Sequence, residues 1–218
     1  MTSLAQSYLK SLHDIVSKTI ITDHNGENYT LDEAATEFSD TLFDVKNKSS
    51  KAILVGNGGS ASIADHLQND LCATVGARAM VCTNTPLLTA LSNDKGYESA
   101  YENQVKIWAN TGDLFIAISS SGESENILRA AQIAQATGCR VVTMTGFRPT
   151  NRLRKCGYLN FYVNSDSYGH TELSHSIIAH LLTDWACSRH WENKTFSTNI
   201  QATEARLRQT GLKLTIES

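Results

Sequence analysis

Apolar positions near the start of the chain recur at helical spacing. Leu4, Tyr8, Leu9, Leu12, Ile15 and Val16 form one stripe, which predicts an amphipathic helix. A second helix is predicted from Thr30-Leu31-Asp32-Glu33, where Thr30 serves as the cap of a capping box. It runs through Ala34, Phe38, Leu42 and Val45. After Lys51 the pattern changes. Ala52-Ile53-Leu54-Val55 is a short continuous apolar run that stops at Gly56-Asn57-Gly58-Gly59-Ser60. Continuous apolarity marks a strand covered on both faces.

The same unit then repeats. Ala79 to Cys82 reads as a strand, followed by helical stretches from Pro86 and around Tyr101 to Trp108. Leu114-Phe115-Ile116-Ala117-Ile118 is the clearest strand, and it leads through Ser119 to Ser124 into a helix reaching Gln135, which Gly138 stops. Val141 to Met144 and Leu159 to Val163 read as further strands, before a long helix from about Thr171 to Arg189. Strands alternating with helices predict crossover units and a parallel sheet. The pattern divides the chain into leading helices over 1–50, an α/β core over 51–191, and a polar tail over 192–218 that carries no assignment.

Composition narrows the function classes. Hydrophobic residues at 41% and charged residues at 19% are ordinary for a folded globular chain and argue against disorder. Lys and Arg are scattered and the net charge is -3, so the basic patch that marks nucleic-acid binding is missing. No apolar run approaches the ~20 residues of a membrane helix. The polar N-terminus lacks the apolar core of a secretory signal. Cys72, Cys82, Cys139, Cys156 and Cys187 are odd in number and form no CxxC pair; most sit in apolar segments, which points to buried thiols and a cytoplasmic setting.

Two loops carry chemistry. In an open parallel sheet, ligands bind beyond the carboxyl ends of the strands. Gly56-Asn57-Gly58-Gly59-Ser60 allows positive φ and close backbone approach, with Ser60 placed to cap the next helix. Ser119-Ser120-Ser121-Gly122-Glu123-Ser124 crowds hydroxyls and free amides at a helix start, where the dipole favours an anion. Neither loop has the lysine of a nucleoside-triphosphate P-loop or the GxGxxG spacing of a dinucleotide site. A single phosphate monoester is the ligand that fits. On the helix after the first loop, His66 and Asp70 share a face at i, i+4. On the late helix, Glu172 and His180 lie near one stripe, while His175 is read as structural, as are His13, His24, His170 and His190.

Gly56-Asn57-Gly58-Gly59-Ser60, Ser92-Asn93-Asp94 and Ile118 to Ser124 together resemble the signature of the SIS (sugar isomerase) domain family, and within it the phosphoheptose isomerases. The resemblance spans about Met1 to Arg189. It implies a three-layer doubly wound α/β sandwich, preceded by two helices, and a homotetramer with sites at subunit interfaces. It further implies a sugar phosphate held by Asn57, Gly58, Gly59, Ser60, Asn93, Asp94, Ser119, Ser120, Ser121, Ser124 and Glu172. The family uses acid-base residues at the positions of Asp70 and His180, and many members bind zinc; here His66, Asp70, Glu172 and His180 would be the ligands. That set of two imidazoles and two carboxylates suits Zn²⁺.

This chain departs from the family in several places. Asp70 stands where the family has Glu, Glu172 where it has Gln, and Thr74 where it has Arg, for which the nearby Arg78 is a substitute in sequence. The acidic residue usual before the late helix is replaced by Tyr168-Gly169-His170. The implied activity is conversion of sedoheptulose 7-phosphate to D-glycero-D-manno-heptose 7-phosphate through an enediol, with Asp70 or Glu172 as base and His180 serving the oxygens. Two other readings compete: a non-catalytic SIS adaptor for a replication initiator protein, and a phosphosugar-sensing module.

Overall fold

The computed structural model describes residues 3–190; the tail at 192–218 lies outside the described residues. Both leading helices begin on capping boxes. In α1 (Leu4–Ser17) the Ser3 hydroxyl accepts from the Gln6 amide, and the Gln6 side chain accepts from the Ser3 amide. In α2 (Leu31–Asn47) Thr30 and Glu33 make the same exchange, as the spacing predicts.

Between these helices the chain forms two short strands, β1 (Ile20–Thr22) and β2 (Asn28–Tyr29), paired antiparallel. They are absent from the sequence prediction. Strands of three and two residues are too brief for any periodicity to register. There follow β3 (Ala52–Gly56), α3 (Gly59–Asp70), β4 (Ala79–Val81), α4 (Thr85–Lys95) and α5 (Tyr97–Trp108). The remainder is β5 (Leu114–Ser119), α6 (Glu125–Thr137), β6 (Arg140–Thr145), β7 (Leu159–Tyr162) and α7 (Tyr168–His190). Gly138 closes α6 in the left-handed conformation, as predicted.

The sheet order is β2-β1-β7-β6-β5-β3-β4. The strands from β7 to β4 run parallel, while β1 pairs antiparallel with β7, so the sheet is mixed rather than purely parallel. Each central strand feeds both faces. Ala52 and Leu54 of β3 pack with Phe38 and Leu42 of α2 and Leu182 of α7 in one core. Ile53 and Val55 pack with Val105 of α5 and Ile127 of α6 in the other. Burial on both faces is why these strands read as unbroken apolar runs. Order reverses between β3 and β5, which makes their carboxyl ends the topological switch point.

At the opposite edge, Asp113 ties the starts of β3 and β5 together. It accepts from the Lys51 amide at 3.0 Å, the Lys51 ammonium at 2.6 Å and the Asn110 amide at 2.8 Å. Its side chain is only 2% exposed. Truncating it leaves a lysine and two amides short of partners. Asp113→Ala is expected to cost about 3 kcal/mol in urea unfolding, whereas an exposed pair such as Lys48 with Asp44 should cost under about 1 kcal/mol.

Candidate active site

The two chemically distinctive loops meet at the switch point. Asn57 donates its amide to the Asn126 side-chain oxygen at 2.9 Å, and Asn126 donates back to the Asn57 oxygen at 3.0 Å. Tyr97 adds a hydroxyl donation to that same Asn57 oxygen at 2.7 Å, and Tyr101 donates to the Gly56 carbonyl at 2.8 Å. Gly58 takes φ 53, which turns the first loop into α3.

The serine loop closes on itself in the same region. The Ser119 hydroxyl accepts from the Gly122 amide and the Ser121 hydroxyl from the Glu123 amide, each at 3.2 Å. Glu123 is drawn outward by Arg152, with a 2.7 Å ion pair, and this hydrogen bond lowers its pKa. A cavity of about 120 Å³ remains, lined by Asn57, Ser60, Ser119, Ser120, Ser121, Ser124, Tyr168 and Glu172. Within it the buried Ser120 Oγ has no hydrogen-bond partner, and Ser124 sits at the cap position of α6 without using its hydroxyl. A buried hydroxyl without a partner beside a helix start fits an anionic ligand.

A second cluster lies further along α3 and α7, which pack side by side. Asp70 Oδ2 is 3.6 Å from His66 Nε2 and 3.4 Å from His180 Nδ1. The two imidazole rings meet edge-on, 4.9 Å apart. One donor atom from each of the three residues falls within 4.8 Å of the others. Two nitrogens and a carboxylate oxygen at such spacing are a donor set suited to a metal ion. Asp70 is the last residue of α3, where the helix passes into a π turn over Leu71–Val75; such turns collect at functional sites.

Comparison with known proteins identifies the family. Residues 8–146 match the SIS domain. A phosphoheptose isomerase of Sulfurimonas denitrificans is 34% identical over 164 residues, covering 72% of this chain and 84% of that protein. One from Helicobacter hepaticus is 33% identical over 171 residues, covering 76% and 87%. The chain belongs to the SIS domain family, in its phosphoheptose isomerase subgroup. A solved phosphoheptose isomerase from Francisella tularensis shares the fold with a TM-score of 0.71, at 24% identity over 85% of this chain and 98% of that one.

Several residues implied by the SIS resemblance stand elsewhere than expected. Glu172 is not in the His66, Asp70 and His180 cluster; its carboxylate lies over Gly59 in the serine cavity. Eight residues along α7 separate it from His180, about 12 Å of helix. Asn93 and Asp94 lie exposed in the last turn of α4, hydrogen-bonded to each other at 2.9 Å, and do not line the cavity. Ser60 does not cap α3: the cap position is Gly58, with no side-chain bond, and Ser60 lies inside the helix. Arg78 immediately precedes β4 and donates to the Ser50 carbonyl, which places it at the amino edge of the sheet, away from the cavity. Of the cysteines, Cys82, Cys139 and Cys156 are buried, whereas Cys72 is exposed and Cys187 half-buried.

Asn126, Tyr97 and Tyr101 escaped the sequence reading, because an Asn and two Tyr on helices carry no local mark of a distant partner. So did Asp184, one turn beyond His180. Desolvation pushes its carboxyl up, as does the neighbouring Asp70 charge, against an opposing pull from His180.

His175, read from the sequence as structural, keeps its Nδ1 buried without a hydrogen-bond partner. It is fully buried, and its Nε2 stands 3.1 Å from the Thr145 carbonyl, so that nitrogen carries the proton. Burial depresses its pKa to about 4. The unfolded chain therefore binds this proton more readily, and stability falls as pH drops from about 6.5 toward 4. Thermal unfolding followed from pH 7 to pH 4 should show a loss on the order of 2–3 kcal/mol from this group, with the slope reduced in His175→Gln.

Proposed function

We propose that the protein is a phosphosugar ketose-aldose isomerase, converting sedoheptulose 7-phosphate to D-glycero-D-manno-heptose 7-phosphate for heptose precursor synthesis in the cytoplasm. The names of its relatives support the substrate. One structural observation carries the reading: α3 and α7, which carry His66, Asp70 and His180, also line the serine cavity through Ser60, Tyr168 and Glu172. His66 is seven residues beyond Gly59, about 10 Å along α3. That spacing suits a six- or seven-carbon phosphate lying along the helix, and exceeds the reach of a triose phosphate.

In this reading Ser119, Ser120, Ser121 and Ser124 hold the phosphate, aided by the dipole of α6. Asp70 removes a proton from C1 of the ketose and returns it to C2 of the enediol. His180 takes the proton from the O1 side and supplies it at O2, or the reverse in the opposite direction. Asp70 is favoured over Glu172 as the base, because it stands beside His180 while Glu172 lies at the phosphate end. His66, Asp70 and His180 would hold Zn²⁺, which when bound polarises the sugar carbonyl and favours the enediolate.

The reading includes assembly as a homotetramer with sites at subunit interfaces. It is supported by α1, whose Leu4 is 90% and Leu9 63% exposed: a helix with this apolar face suits burial against another copy. The adaptor reading finds no support in the relatives, which carry isomerase names.

Purified protein mixed with sedoheptulose 7-phosphate should form aldose, and a chelator should lower the rate until Zn²⁺ is restored. His180→Ala should lose a factor of roughly 10² to 10⁴ in kcat. Ser121→Ala should act mainly on KM. Parent-level turnover by His180→Ala would overturn the assignment of that residue.

A further inference from the structure

Glu172 is the one charged side chain among those lining the serine cavity. It reaches there because Gly59 has no side chain: a β-carbon built on Gly59 would run into both carboxylate oxygens. Gly59 is the first residue of α3, whose cap Gly58 supplies no side-chain acceptor. The opening amides of a helix have no partner within it, and they favour negative charge. An anion from α7 therefore rests at the start of α3. Ser120 Oγ, buried and without a partner, lines the same small space.

That arrangement has a consequence for any phosphate entering the cavity. No lysine or arginine lines it to offset a second negative group, and like charges a few ångströms apart repel strongly when partly shielded from water. Glu123, the other acid of the loop, is turned away by Arg152, so the repulsion comes from Glu172 alone.

We propose that Glu172 is an internal competitor for the phosphate position: it occupies the anion end of the cavity, and a phosphate ester enters by displacing it. The proposal rests on the serine loop being the phosphate cradle. It makes the cradle discriminate by what is attached to the phosphate. Inorganic phosphate and short esters have only the cradle to offset the displacement. A longer sugar phosphate that also reaches His66, Asp70 and His180 gains further contacts.

Calorimetric titration of inorganic phosphate into the full chain, without added metal, tests this directly. Glu172→Gln, nearly isosteric, should bind inorganic phosphate roughly tenfold more tightly than the parent, and Glu172→Ala should shift in the same direction. The preference for a heptose phosphate over inorganic phosphate should narrow in both variants. Ser124→Ala should weaken phosphate binding in every background. Equal or weaker phosphate binding by both Glu172 variants, with Ser124→Ala still weakening it, would overturn the competitor and leave the cradle standing. No effect of Ser124→Ala, or no phosphate binding by any of these proteins, would overturn the cradle and the competitor with it.

Discussion

Two loops that belong to different crossover units must hold a fixed separation for the site to exist, and the reciprocal amide pair of Asn57 and Asn126 sets it. Each side chain both donates to and accepts from the other, and neither can move without leaving a partly buried amide short of a partner. Asn126 also accepts from the Ile127 amide at 3.0 Å, which fixes it to the start of α6. Tyr97 donates to the same Asn57 oxygen that accepts from Asn126. The switch point of the sheet thus becomes a cavity of fixed shape, not two independent loops.

Electrostatics then sort the carboxylates of the site by position. Asp70 sits between two imidazoles at one end, Glu172 rests at the start of α3 at the other, and Glu123 is held outward by Arg152. Each acid has a distinct counterpart: a pair of histidines, a helix terminus and a guanidinium. In the proposed reaction, the separation of Asp70 from Glu172 puts proton transfer at one end of the α3–α7 pair and ester recognition at the other. The expected four-residue metal set reduces to three because Glu172 and His180, although on one stripe, stand at different heights on the helix.

The fold was largely legible because its signals are local. Ala52 to Val55 and Leu114 to Ile118 lie in strands buried on both faces, and nothing but unbroken apolarity satisfies that environment. Thr30 with Glu33 and Gly138 mark helix ends through hydrogen bonds and backbone conformations that span at most a few residues. The β1–β2 hairpin was not legible. Ile20 to Thr22 is too short to show alternation, and its place in the sheet depends on pairing with β7, which lies more than a hundred residues away.

At the site, the sequence by itself determined the chemistry present: a serine-rich turn at the start of a helix, a glycine turn before another, and His66 four residues from Asp70. These follow from spacing within single elements. Only the tertiary structure decided which groups act together. Whether Glu172 joins the histidines or the serines depends on how α7 lies against α3. Whether Asn57 faces ligand or Asn126 depends on the packing of α6, and whether Arg78 reaches the cavity depends on which edge of the sheet it precedes. Those are contacts between residues far apart along the chain, and no periodicity within one element encodes them.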